Sequence, residues 1–150
     1  MYLILPNIRS CHNVGAMFRT ADAFGIEKLF LVGYTAHPPK PQIDKVSLGA
    51  ETWVPWEARD ELIPLLQELK NNEFILVVLE KNNTSIDITT FPKDVDRKKL
   101  VLIVGNEVGG VPEDVLHIVD YIVHVPMVGK KESLNVSIAA GVAMYSLTRT

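Results

Sequence analysis

Apolar residues in this chain come in short, nearly unbroken runs rather than in strict alternation with polar ones. Tyr2–Leu5, Lys28–Val32, Phe74–Leu79, Leu100–Val104 and Tyr121–Val125 are such runs. Their length and their Val, Ile and Leu content are those of strands covered on both faces. Pro6 ends the first run and Gly33 the second. Helical segments lie between them. Asn13 reads as the N-cap of a helix over Val14–Phe24, which Gly25 ends. Asp60–Lys70 puts Leu62, Leu65, Leu66 and Leu69 on one face, with Pro64 in the first turn, where its missing N–H costs least. Pro112–Val119 forms a short helix with Pro112 at N1. Asn135–Thr148 is the last helix. Its stretch Val136–Met144 is almost wholly small or apolar, so burial is expected. Tyr34–Asp44, with its three prolines, reads as a loop, Val46–Ala50 as one helical turn, and Thr52–Trp56 as an edge strand because of Pro55.

Alternating strands and helices over 150 residues imply a single α/β domain, residues 1–150, with a mostly parallel sheet flanked by helices. Ligands bind such sheets where loops leave the carboxyl ends of the strands. Three polar or glycine-rich clusters follow strands here: Asn7–Arg19, Gly105–Gly110 and Pro126–Asn135.

Composition narrows the class. Hydrophobic residues make up 47% of the chain, yet no apolar run reaches the roughly 18 residues of a membrane span. Met1–Pro6 is too short for a signal peptide and lacks a basic lead. A soluble cytoplasmic domain is expected. One cysteine, Cys11, leaves no internal disulfide and no Cys-based zinc site. His12, His37, His117 and His124 show no H-x-x-x-H spacing, so no metal is expected. The net charge of −3 exerts no general pull on nucleic acid. A local basic patch stays open, with Arg9, Arg19, Lys40, Lys45, Lys130 and Lys131 falling in loops or helix starts.

Each cluster has its own chemistry. In Gly105–Gly110 the glycines allow positive φ and close approach of a ligand to the backbone. The turn is neither a P-loop nor G-x-G-x-x-G. Glu107 is a carboxylate held in it, though by itself it reads equally well as solvent-facing. Arg19 lies in a helix lined by Val14, Ala16, Met17, Phe18 and Ala21, so it needs a phosphate or carboxylate, or a surface acid such as Asp22. Ser133-Leu134-Asn135 is a polar triplet at the mouth of an apolar helix. No G-x-S-x-G elbow supports a serine hydrolase.

Taken in order, these residues resemble three family motifs: Asn13, Gly15 and Arg19; Gly105, Glu107 and Gly110; and Pro126, Met127, Ser133, Leu134, Asn135 and Ser137. The family is the SPOUT methyltransferase superfamily, more closely its TrmH (SpoU) branch of RNA 2′-O-ribose methyltransferases in minimal single-domain form. The resemblance implies a Rossmann-like sheet whose C-terminal part is threaded into a deep trefoil knot, an uncommon topology. It implies S-adenosylmethionine bent in that knot against Leu79, Glu80, Gly105, Val125, Pro126, Met127, Ser133 and Leu134. It further implies a homodimer with each site completed by the partner chain, and an RNA substrate held by the dimer itself, tRNA ahead of rRNA. Arg19 is then the critical catalytic group. Asn13, Glu107, Ser133 and Asn135 would fix Arg19 and the ribose by hydrogen bonds, with Glu107 and Arg19 as a buried ion pair. Three other readings compete. A knotted binder without catalysis is opposed by the complete set Asn13, Arg19, Glu107 and Asn135. A nucleotide-cofactor enzyme is opposed by the missing G-x-G-x-x-G. The base-modifying SPOUT branch is opposed by Asn-x-Gly-x-x-x-Arg.

Overall fold

Each of the five apolar runs forms a strand. The structure, a computed structural model, describes residues 1–149. The runs form β1 (Tyr2–Pro6), β2 (Lys28–Val32), β4 (Ile75–Leu79), β6 (Leu100–Val104) and β7 (Tyr121–His124). Two short strands join them, β3 (Trp56–Arg59) and β5 (Ile86–Asp87). The sheet runs β3-β2-β1-β6-β4-β7-β5, and every neighbouring pair is parallel. Ile4 lies between Phe30 and Ile103, and Val78 between Ile103 and Ile122. All of β6 is buried, which is why its sequence lacks polar alternation.

Helices cover both faces. On one side, α1 (Cys11–Ala23), α2 (Pro41–Ser47), α3 (Ala50–Trp53) and α6 (Val136–Thr148) pack Val14, Met17, Phe18, Ile43, Ala140 and Met144 against Leu3, Leu5 and Leu102. On the other, α4 (Leu62–Asn71) and α5 (Glu113–Leu116) bring Leu65, Leu66, Leu69 and Val115 onto Ile4, Phe30 and Ile103. Gly15 lets α1 meet α2 backbone to backbone, since a Cβ there would stand 2.6 Å from the Ile43 carbonyl oxygen.

Several elements differ from the pattern reading. Helix α1 is capped by Ser10, whose hydroxyl accepts from the Asn13 N–H at 3.1 Å, so Asn13 is in the first turn and not the cap. Ser10 does the work of an N-cap, which frees the Asn13 side chain for other partners. The prolines of 38–41 end a loop and start a helix, with Pro41 at the first position of α2, where no N–H is required. Residues 50–53 are helical, and the edge strand lies at Trp56–Arg59. Pro55 sits just outside it, offering only its carbonyl to the Leu29 N–H at 2.9 Å. Helix α6 is buried on one face only. Ile138, Val142 and Tyr145 are 56%, 38% and 46% exposed.

After β7 the chain does not turn straight into α6. Residues 125–135 return past the carboxyl ends of β4 and β6, and Asn135 reaches Asn13 on α1. This return path is consistent with the threading of a C-terminal knot.

Candidate active site

The carboxyl ends of β4, β6 and β7 open into a cleft of about 1030 Å³. Its floor is the turn after β6. Asn106 and Gly110 exchange both backbone hydrogen bonds at 3.1 Å. The Asn106 side chain fills the turn, with Oδ1 accepting from the Val108 and Gly109 N–H groups at 2.7 and 2.8 Å. Gly110 has φ +66°, and a Cβ on it would lie 2.9 Å from Glu80 Oε2. That oxygen also accepts from the Val111 N–H at 3.1 Å. The Glu80 carboxylate just after β4 therefore lies against the loop after β6, where a side chain at 110 would meet both a positive φ and the carboxylate.

Glu107, at the tip of the turn, reaches across to α1. Its Oε2 accepts from the Arg9 N–H at 2.9 Å, and its Oε1 accepts from the Ser10 N–H at 3.3 Å and from Asn13 Nδ2 at 2.7 Å. A carboxylate among the free N–H groups of a helix start lies at the positive end of the helix dipole. Asn13, 7% exposed, turns its Oδ1 to Asn135 Nδ2 at 3.3 Å. Asn135 is the N-cap of α6, and its Oδ1 accepts from the Ser137 N–H at 2.9 Å and the Ser137 hydroxyl at 2.6 Å. The chain Glu107–Asn13–Asn135–Ser137 thus joins all three sequence clusters. Each amide orientation is set by its partners, since a carboxylate can only accept and an N–H can only donate.

Asn13, Leu79, Glu80, Gly105, Glu107, Val125, Met127, Ser133, Leu134 and Asn135 all line the cleft. Pro126 does not; it is exposed beside the lining residues on either side of it. Arg19 also lies outside the cleft, on the exposed side of α1. It is six residues beyond Asn13, about 9 Å along the helix axis at 1.5 Å per residue. The expected ion pair between Arg19 and Glu107 does not form: the Glu107 oxygens are taken by two backbone N–H groups and the Asn13 amide. Asp22, the other candidate partner, accepts instead from Trp53 Nε1 at 2.7 Å. The cleft also gains residues the motifs did not mark, among them Lys81, Asn82, Asn106 and Glu132. His124 is another, and its Nδ1 lies 2.9 Å from the Ser85 hydroxyl. Their signal was position alone, since each falls at or just after a strand end or on the loop before α6.

The sequence pattern of the SpoU rRNA Methylase family matches residues 1–145. The chain belongs to that family. A tRNA (guanosine(18)-2′-O)-methyltransferase of Aquifex aeolicus strain VF5 is 36% identical to this SpoU-family chain over 99% of its length and 69% of the relative. A TrmH family protein of Staphylococcus aureus strain COL is 33% identical over 98% of the chain, which spans 58% of that relative. Among solved structures, an AdoMet-bound rRNA methyltransferase from Sinorhizobium meliloti superposes with a TM-score of 0.85 at 27% identity, over 97% of this chain and 54% of that one. The SpoU-family domain therefore occupies little more than half of two of these three proteins. Among the described residues, no group of three or more His, Cys, Asp or Glu could hold a metal ion, and no helix is long and apolar enough to cross a membrane.

Proposed function

We propose that this chain is an S-adenosylmethionine-dependent RNA 2′-O-ribose methyltransferase that works as a homodimer, on tRNA ahead of rRNA. The observation that carries the reading is the hydrogen-bonded chain from Glu107 through Asn13 to Asn135. It makes one wall of the cleft from three segments that are far apart in sequence. The donor set fits the cofactor. Leu79, Val104, Val125 and Leu134 give apolar surface for an adenine, and Gly105 itself adds no side chain among them. Glu80 and Glu132 place carboxylates in a cleft that would hold a ligand with sulfonium and ammonium charges. The preference for tRNA rests on the Aquifex relative, which is named for tRNA alone and is more similar to this chain than the Sinorhizobium protein named for rRNA.

Transfer to a ribose 2′-OH is an in-line displacement. Bound in the cleft, the cofactor supplies an electrophilic sulfonium methyl. Positioning the hydroxyl in line with it accounts for much of the acceleration. The hydroxyl must shed its proton as it attacks. A guanidinium stays charged and is a poor base. Arg19 instead grips the phosphate beside the target ribose and offsets the charge that develops on the 2′ oxygen. Ser133, whose hydroxyl makes no hydrogen bond among the described residues, is free to bind the ribose.

Arg19 serves the cleft of a second copy. It emerges on the exposed side of α1, close to α6, where Thr20 lies against Gly141 and Phe24 against Tyr145. The exposed apolar residues Ile138, Val142 and Tyr145 lie on that same α6. A partner covering them would bring Arg19 up to its own cleft and would complete both sites by symmetry.

The test is transfer of labelled methyl from S-adenosylmethionine to unmodified total tRNA and to rRNA, followed by mapping of the alkali-resistant nucleotide. Arg19→Ala is expected to abolish transfer while S-adenosylhomocysteine binds as in the unmodified protein. Near-normal turnover in that variant, or no transfer to either RNA, overturns the reading.

A further inference from the structure

Tyr34 is an aromatic side chain that is 56% exposed and yet held at both ends. Its backbone N–H donates to Asn7 Oδ1 at 3.1 Å, and its hydroxyl accepts from Asn106 Nδ2 at 3.0 Å. Both anchors are rigid. Asn7 has φ +53° and donates its own N–H to the Val32 carbonyl at 3.0 Å. Next to Tyr34, the buried Thr35 hydroxyl accepts from the Ile8 N–H at 2.9 Å and donates to the Leu5 carbonyl at 2.7 Å. Asn106 is locked by the turn of the cleft floor. An exposed ring normally keeps its rotamer freedom and would lose it on binding a ligand. Here a hydroxyl bond to Asn106 favours one placement of the ring while leaving it in water.

Position sharpens the point. Two other aromatic residues among the described ones are exposed to a similar degree, Trp53 at 59% and Tyr145 at 46%. Trp53 is tied to Asp22, and Tyr145 packs edge-on against Phe24, both near α1. Tyr34 alone stands at the carboxyl edge of the sheet, bridging the loops after β1 and β6, and Asn106 also lines the cleft. Exposed cations lie on the loops after β1 and β2, the latter being the loop that carries Tyr34. Arg9 follows Asn7 by two residues, and its N–H is pinned to Glu107; Lys40 ends the segment that begins with Gly33. An exposed ring with cations on its own and a neighbouring loop is what a protein presents to unpaired nucleotides, the ring for a base and the cations for phosphates.

We propose that Tyr34 is a stacking platform for an unpaired RNA base near the target ribose, with Arg9 and Lys40 receiving the adjoining phosphates. The proposal rests on the RNA methyltransferase reading above. It differs from a bracing role, in which the hydroxyl bond to Asn106 would be the whole purpose of the residue.

Three variants separate the two roles. Tyr34→Phe keeps the ring and loses the hydroxyl, Tyr34→Leu loses both, and Tyr34→Trp enlarges the stacking surface. The assay is steady-state methyl transfer to unmodified total tRNA and to rRNA, with calorimetric binding of S-adenosylhomocysteine as the control for an intact cleft. Stacking on one base predicts that Tyr34→Leu raises the KM for RNA roughly tenfold, while Phe and Trp bring it back to within about twofold of the parent. S-adenosylhomocysteine affinity should be the same in all. A Phe variant as impaired as Leu, or a Leu variant with the parent's KM, overturns the proposal and leaves the methyltransferase reading standing. No transfer by the parent protein to either RNA overturns both.

Discussion

At Gly15 a β-carbon would stand 2.6 Å from the Ile43 carbonyl oxygen and 3.0 Å from the Val46 β-carbon. The nearer neighbour is backbone and cannot swing away, so α2 would have to move off α1. Gly15→Ala is expected to lose about 1–3 kcal/mol in urea unfolding, the usual cost of overpacking. An unchanged midpoint would mean that the two helices adjust freely. The motif glycine thus has a packing reason, whereas its neighbour Asn13 has a polar one. Glu107 gathers three donors, and a carboxylate is the side chain that accepts them all without offering a donor of its own. Glu107→Gln turns an NH₂ group toward one of them. We expect it to cost no more than about 1 kcal/mol of stability, because Glu107 is exposed and water can replace a lost bond, and to lower the methyl-transfer rate; full turnover would contradict this. The sequence marked Asn13, Glu107 and Asn135 as polar residues at loop–helix junctions. It did not reveal that they bond one another across 94 and 122 positions, nor that Arg19 is left out of that chain.

At the scale of elements, α6 shows the limit of composition. An almost wholly apolar helix announces burial, but it cannot tell which partner each face meets. Ala140, Ala143, Met144 and Leu147 meet the chain's own core, while Ile138, Val142 and Tyr145 form a stripe at spacings of four and three that stays exposed. Ile138→Glu places a charge in that stripe without touching the core. It is expected to shift light-scattering mass from dimer to monomer, keep the helical circular dichroism and reduce methyl transfer. A dimeric variant, or a parent protein that is monomeric at every concentration, refutes the proposed interface. The other displaced elements have equally local causes. Ser10 outcompeted Asn13 as a cap, Pro41 opened a helix inside a proline-rich segment, and Pro55 stood before its edge strand rather than within it.

At the scale of the whole molecule, the proposed site belongs to two chains. If Arg19 acts in the partner's cleft, inactive Arg19→Ala and Asn135→Ala chains should complement each other. A mixed dimer joins an intact cleft from the first chain with the arginine of the second. Co-folded in equal amounts, the pair should recover about a quarter of the parent's transfer rate, since half of the dimers are mixed and each has one whole site. No recovery would return Arg19 to the cleft of its own chain. The order of the clusters along the chain was evident from sequence, and so was the α/β class, because apolar runs of five residues and glycine, proline and asparagine breaks are local signals. The sheet order β3-β2-β1-β6-β4-β7-β5 was not, because parallel strands pair through contacts far apart in sequence that no local period encodes. By itself, then, the sequence determined the strands and helices and marked the polar clusters at the junctions between them. Only the tertiary structure decided that Asn13, Glu107 and Asn135 share one hydrogen-bonded wall, that Glu80 supports the glycine turn, and that Arg19 lies outside its own cleft. Hydrogen bonds and packing between distant segments set those outcomes, and they exist only once the chain has folded.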